Sequence, residues 1–204
     1  MIAIIDYGLG NIRAFANIFK NFGTPFKIAS TPSDLIGITK VVLPGVGAFD
    51  HAMERLEGSG LREPLNEVVL QSKVPVLGIC VGMQILALSS EEGKRPGLGW
   101  IDGVVKRLDT GRNAKRLILP HMGWNNVRSV NDNQIMQGLG AESSFYFLHS
   151  YYFQCHRTDD VIAHADYGGR FACAVNAGNI YGVQFHPEKS HQNGIRLLKN
   201  FAGL

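Results

Sequence analysis

An α/β fold is predicted for this chain, a central mostly parallel sheet with helices on both faces and an antiparallel strand extension. Two observations carry the prediction. The first half alternates short β-rich runs with helical patterns, while from about residue 99 the pattern turns strand-rich, with polar or glycine-containing turns. The third useful observation is local: Pro75-Val76-Leu77-Gly78-Ile79-Cys80-Val81-Gly82-Met83-Gln84 sets one cysteine between glycines, after an apolar strand and before an apolar helix.

In chain order the pattern predicts strand 2–6, a helix near 11–21, strands 25–29 and 40–43, helices near 48–57 and 61–71, strand 74–79 and helix 81–89. The first helix repeats apolar residues at Ile12, Phe15, Ala16 and Phe19, a spacing that makes one stripe to bury against the sheet. Strands follow at 100–108, 115–119, 144–155, 161–166, 171–176 and 180–185, read as the antiparallel extension of the central sheet. A closing helix near 192–203 carries Ile195, Leu198 and Phe201 on one face, opened by Asn193-Gly194. No repeat or linker divides the chain, so 1–204 is read as one domain. The loop 109–116 and the polar stretch 129–143 carry no motif.

Charge and cysteine usage exclude several classes. A formal charge of +3 from 20 basic and 17 acidic residues, with no basic tract interleaved with aromatics, argues against nucleic acid. No apolar run is long enough to span a membrane and no leader pattern precedes the first strand, so a cytoplasmic protein is expected. Three widely spaced cysteines, Cys80, Cys155 and Cys173, with no Cys-x-x-Cys pair, point to neither a disulfide framework nor a metal site. Cys155 and Cys173 lie in apolar, strand-like surroundings and read as core residues.

Cys80 has a different context. On a strand-to-helix elbow its side chain projects above the sheet, and the N-terminal amides of the following helix stabilise a thiolate. A nucleophile of this kind needs a base, and Phe185-His186-Pro187-Glu188 offers His186 at the end of an apolar strand. In extended chain, side chains two apart point the same way, so Glu188 reaches the far nitrogen of His186 and fixes its tautomer. The glycine-rich turn Leu43-Pro44-Gly45-Val46-Gly47 supplies backbone N–H groups at Gly45, Val46 and Gly47, joined by that of Val81, for an oxyanion. Each piece alone has a plainer reading: tight strand–helix packing around a buried thiol, a capped loop, or a simple turn. Together, in this order, they describe a Cys-His-Glu triad.

Pro44-Gly45-Val46-Gly47, Gly78-Ile79-Cys80-Val81-Gly82-Met83-Gln84 and Phe185-His186-Pro187-Glu188 resemble the three signatures of triad (class I) glutamine amidotransferases. Asp6-Tyr7-Gly8-x-Gly10-Asn11, Pro120-His121-Met122-Gly123-Trp124-Asn125, Tyr146-Phe147-Leu148-His149-Ser150-Tyr151 and Glu188-Lys189-Ser190 extend the resemblance over essentially the whole chain, toward the glutaminase subunits of imidazole glycerol phosphate synthases in histidine biosynthesis. The resemblance implies glutamine hydrolysis through a γ-glutamyl thioester on Cys80, with ammonia passed to a (β/α)8-barrel cyclase subunit in a heterodimer and no cofactor. It places glutamine against Gly47, Gln84, Glu92, Ser150 and Tyr151. Glu92 has a physical rationale, because the substrate's α-ammonium needs a carboxylate. It sets Asn11, His121, Trp124, Tyr146 and Lys189 near the cyclase-facing side.

Val81 stands where a leucine is common in that family. Glu188-Lys189-Ser190-His191-Gln192-Asn193-Gly194 and Leu148-His149-Ser150-Tyr151-Tyr152-Phe153 are at least as similar to paralogous subunits that feed ammonia to sugar amidotransferases of surface-polysaccharide pathways, so the histidine-pathway cyclase, the leading acceptor, has a sugar amidotransferase as its rival. Two further readings are a thiol redox sensor, which needs no base and orienter, and a cysteine peptidase on the same fold, against which Gln84 and Glu92 argue.

Overall fold

The alternation of the first half becomes β1 (Ile2–Ile5), α1 (Ile12–Asn21), β2 (Phe26–Ala29), β3 (Lys40–Gly45), α2 (Phe49–Gly58), α3 (Arg62–Asn66), β4 (Val76–Cys80) and α4 (Val81–Gln84) in a computed structural model that describes residues 1–109 and 117–204. The second half supplies β5 (Ser89–Ser90), β6 (Gly103–Arg107), β7 (His121–Asn126), β8 (Arg128–Ser129), β9 (Ser144–His149), β10 (Tyr151–Cys155), β11 (Val161–Asp166), β12 (Arg170–Ala177), β13 (Ile180–Val183) and α5 (His191–Gly203).

The central sheet runs β2-β1-β3-β4-β13-β12-β11-β8. The first five strands in that order are mutually parallel and the last three antiparallel, as the sequence predicts for the sheet and its extension. Every residue of β1, β4 and β13 is buried, and because successive side chains alternate in direction, both faces of the sheet are covered. The α1 stripe behaves as its spacing requires: Phe15 and Phe19 are buried, with Ile12 and Ala16 packed beside them. Truncating Phe19 to alanine removes contacts worth about 3–5 kcal/mol.

The sequence reading departs from the structure at several points. The helix expected over 81–89 stops at Gln84, because the carbonyls of Ile85, Leu86, Ala87 and Leu88 accept hydrogen bonds from the N–H groups of Leu98, Trp100, Gly99 and Gly97 instead of continuing the helix. The helix near 61–71 is α3 followed by a wider helical turn over Glu67–Gln71. The strand expected over 144–155 is broken at Ser150 into β9 and β10, which join different sheets: β10-β6-β5 and β7-β9. These strands therefore form two small separate sheets rather than part of the extension. Of the strand placed at 115–119, residues 115–116 lie outside the described residues and 117–119 are not strand; the strand of this region is β7, whose polar run concealed it. Finally α5 begins at His191, so Asn193-Gly194 lies within its first turn, where a Cβ on Gly194 would collide with the Pro187 carbonyl.

Three neighbouring parallel strands, β3, β4 and β13, end side by side. Gly45 pairs with Cys80, and Val183 pairs with Ile79 one residue before it. The turn after β3, the elbow after β4 and the segment after β13 thus meet at the carboxyl edge of the sheet, where open α/β sheets place their ligand sites.

Candidate active site

Cys80 caps α4 with φ +56° and ψ −114°, a left-handed backbone that a residue with a side chain adopts at a cost. What holds it is glycine on three sides. A Cβ on Gly78 would lie 2.6 Å from the Gly82 carbonyl oxygen, and one on Gly45 or Gly82 would run into Gly82 N or Leu43 O respectively. Only hydrogen at these positions lets β3, β4 and α4 approach this closely. Below the elbow, buried Tyr7 donates to Pro44 O at 2.8 Å and fixes the start of the glycine turn. Burial, with the nearby Cys80 sulfur, pushes the Tyr7 hydroxyl pKa up, so it remains a donor.

The elbow faces a cleft of about 310 Å³. Val46, Gly47, Cys80, Val81, Gln84, Glu92, Ser150, Tyr151, His186 and Lys189 all line it, which unites residues spread over most of the sequence. Gly45 lies buried behind it, and Glu188 is held under His186. Gly47 has φ +90°, a conformation that favours glycine. Val81 is the first residue of α4, so its N–H has no partner within the helix.

His186 Nδ1 lies 3.0 Å from Glu188 Oε1, with both side chains nearly inaccessible to solvent. The pair forms by a different route from the extended one expected: His186 is extended, but Pro187–Lys189 is a 3₁₀ turn that folds the carboxylate back. The other Glu188 oxygen is buried without a hydrogen-bond partner among the described residues. Burial opposes a charge on His186, but its hydrogen bonds to Cys80 and Glu188 and their negative charges outweigh it, so the imidazole pKa is raised to about 10. An imidazolium beside the sulfur is the arrangement that activates a cysteine.

Gln184 carried no recognisable signal of its own. Gln184, fully buried, donates through Nε2 to Cys80 Sγ at 3.8 Å and accepts from Gln84 Nε2 at 3.0 Å. Gln84 Nε2 also donates to Tyr151 O at 3.1 Å, which anchors the cleft wall. Ser190, buried, donates to His186 O at 2.6 Å and accepts from Tyr146 N, while His186 N donates to Tyr146 O. Gln184 sits one residue beyond β13 and pairs with the elbow only because β13 lies beside β4, a fact about topology rather than composition.

His121, which the sequence reading set near a partner-facing side, is 3% exposed, its ring stacked against Tyr167 and Phe147 at centroid distances of 4.1 and 4.9 Å. It meets His149 through Nδ1 and Nε2 at 3.0 Å, and His149 Nδ1 lies 2.8 Å from Tyr151 O. A carbonyl only accepts, so His149 carries its proton on Nδ1 and His121 donates from its own Nδ1. Burial lowers the pKa of His121 to about 4. It lowers that of His149 to about 3, with the Tyr151 hydrogen bond opposing and His121 and His186 adding to the effect. Both are neutral.

Beside the cleft, Trp124 is 49% exposed, stacks on His191 at 5.1 Å and meets Tyr146 edge-on at 6.1 Å. Lys189 Nζ lies 5.6 Å over the Tyr146 ring. Asn11 is exposed at the N-cap of α1, outside the cleft lining. The other cysteines lack this setting: Cys173 is fully buried in β12, and burial, with Asp160 and Asp102, pushes Cys155 up to about 12. Among the described residues no cluster of His, Cys, Asp or Glu is arranged to hold a metal ion, and no helix is long and apolar enough to cross a membrane.

A strained cysteine elbow, a buried histidine–carboxylate pair and a glycine turn on adjoining parallel strands define a class that sequence comparison also finds: the chain belongs to the class-I glutamine amidotransferase family, whose model matches residues 3–203. It is 55% identical over 202 residues to the imidazole glycerol phosphate synthase subunit HisH of Bdellovibrio bacteriovorus, covering 99% of each chain. To the HisH subunit of Leptospira interrogans it is 53% identical over 204 residues, all of both chains. A solved structure described as a glutamine amidotransferase superposes with TM-score 0.75 at 20% identity, covering 100% of this chain and 99% of the other; it supports the fold.

Proposed function

We propose that this chain is the glutaminase subunit of an imidazole glycerol phosphate synthase. In this reading it hydrolyses glutamine to glutamate and ammonia and hands the ammonia to a (β/α)8-barrel cyclase subunit that makes imidazole glycerol phosphate and AICAR in histidine biosynthesis. The observation that carries the chemistry is His186 held between Cys80 and Glu188 at a cleft walled by Gln84, Glu92 and Ser150–Tyr151. Near-complete identity of length with relatives named HisH, at 53–55% identity, supports the acceptor over the sugar amidotransferase alternative.

Each step uses residues already in place. Cys80 Sγ forms a bond to the side-chain carbonyl carbon of glutamine, and the carbonyl π pair moves onto oxygen. That oxyanion is received by backbone N–H groups of the Gly45–Gly47 turn and of Val81; each such donor contributes a rate factor on the order of a hundred or more. As the C–N bond breaks, His186 gives its proton to the departing nitrogen, which leaves as ammonia. Neutral His186 then takes a proton from water, the hydroxide attacks the γ-glutamyl thioester, and the C–S bond breaks to release glutamate and restore Cys80. Glu188 keeps the imidazole oriented throughout and balances its charge. Glu92 pairs with the α-ammonium, and Gln84 holds the wall at Tyr151.

Ammonia in water at neutral pH is mostly protonated and no longer nucleophilic, which favours delivery through a sheltered contact. The exposed Trp124, His191 and Lys189, with half-buried Tyr146 between them, are an aromatic and cationic rim beside the cleft suited to such a contact, with Lys189 on both the rim and the cleft wall. Asn11, on the loop before α1, is assigned to the same face. The reading carries a cytoplasmic location with it.

The test is glutamate release by the purified chain, alone and with a histidine-pathway cyclase and its nucleotide ligand, with Cys80→Ala as the blank. Strong stimulation by the liganded cyclase is expected. Hydrolysis that ignores the cyclase would instead favour a sugar-modifying acceptor.

A further inference from the structure

Glu92 lies in a stretch with no regular structure, yet its carboxylate must stand at a fixed place to receive an α-ammonium. What fixes it is Asp50, in the first turn of α2. The Asp50 carboxylate accepts from Lys94 N at 2.9 and 3.1 Å and from Arg95 N at 3.0 Å. Gly93 leaves room for it, since a Cβ there would collide with the Asp50 carboxylate. In return, Glu92 Oε2 accepts from Phe49 N at 2.8 Å, one of the α2 N–H groups with no partner inside the helix. The start of α2 and the 92–95 loop are thus latched in both directions, and one Glu92 oxygen remains for a ligand in the cleft. A second tie lies outside the latch: the Arg95 guanidinium bonds Glu54 at 3.0 and 3.2 Å and Glu57 at 3.0 Å. The N–H donors of Lys94 and Arg95 hold the Asp50 carboxyl below the usual carboxylate range.

We propose that Asp50 is a specificity-determining positioning residue, holding the Glu92 loop so that the cleft selects amides that carry an α-ammonium. Asp50 does not line the cleft and touches no reacting atom, so its effect falls on binding of the amino group and leaves the bond-making steps alone. This rests on the reading of Glu92 given above.

The experiment uses the chain with its liganded cyclase and two amides, glutamine and glutaramate, which is glutamine without the α-amino group. For Glu92→Gln and for Asp50→Ala the KM for glutamine should rise, on the order of tenfold for Asp50→Ala, with kcat unchanged. Asp50→Asn, which keeps one acceptor oxygen, should recover part of the loss. With glutaramate Asp50→Ala should leave kcat/KM unchanged. On glutamine, adding Asp50→Ala to Glu92→Gln should cost nothing further. An unchanged KM in Asp50→Ala alongside a raised one in Glu92→Gln overturns the positioning role. So does an equal loss on both amides, which marks a general structural effect. An unchanged KM in Glu92→Gln would instead overturn the reading of Glu92, and the role of Asp50 with it.

Discussion

His186 and the His121–His149 pair are buried in the same part of the molecule and held in opposite charge states. Burial pushes each of these imidazoles toward neutrality. At His186 that push is overcome, because Cys80 and Glu188 bond it on two sides and bring negative charge. At His149 the ring donates to a backbone carbonyl, which only partly offsets burial, and the charges that bear on it are those of two more histidines, His121 and His186. The lesson is that the partners decide the charge, and the charge decides what a buried histidine does. His186 is equipped to move protons, whereas His121 and His149 form a chain of fixed dipoles that pins Tyr151 at the cleft wall.

The sharpest way to break this comparison is to remove the charged histidine. His186→Ala should lower glutamine hydrolysis by as much as about 10⁶-fold, with glutamine binding retained by calorimetry. Next comes its carboxylate. Glu188→Gln leaves the shape but removes the charge, so the rate should fall on the order of 10⁴-fold and the His186 resonances should titrate at lower pH. If that titration stays put, the carboxylate does not hold the imidazolium.

The neutral pair should respond more mildly and in another parameter. His121→Phe fits between the Tyr167 and Phe147 rings but takes away the donor to His149. The KM for glutamine should rise about tenfold with kcat nearly constant. A fall in kcat alone would place the pair in the chemistry.

The smallest effects are on stability, and the two sites should act on opposite limbs of its pH profile. His121 and His149 stay neutral in the fold down to about 4 and about 3, while the unfolded chain takes up protons below 6.5, so stability falls as pH drops from 6.5. His186 is charged in the fold; its contribution is complete below 6.5 and is lost as pH rises toward about 10. Urea unfolding across pH should therefore show the acid limb flattened by His121→Phe and the alkaline limb by Glu188→Gln.

How legible each region was follows from the same physics. The parallel half of the sheet and the stripe Phe15/Phe19 were readable because apolar periodicity is local. The cleft residues Cys80, Val81, Gln84, Glu92, Ser150, Tyr151 and His186 were named from motifs, and the structure brings them to one cavity. The short α4 was not readable, since the N–H donors that end it are supplied by residues 97–101. Nor was β7, a polar strand defined by pairing with β9, nor the burial of His121, which depends on rings from β9 and from Tyr167. Gln184 and Asp50 stood outside any motif; each matters only through a neighbour distant in sequence.

The most direct test of the charged site as the seat of chemistry is to mix the chain and its liganded cyclase with glutamine, quench in acid, and map the adduct by mass spectrometry. The account predicts a γ-glutamyl group on Cys80 and none on Cys155 or Cys173. Turnover of glutamine with no adduct on Cys80, or an undiminished rate in Cys80→Ala, would contradict it.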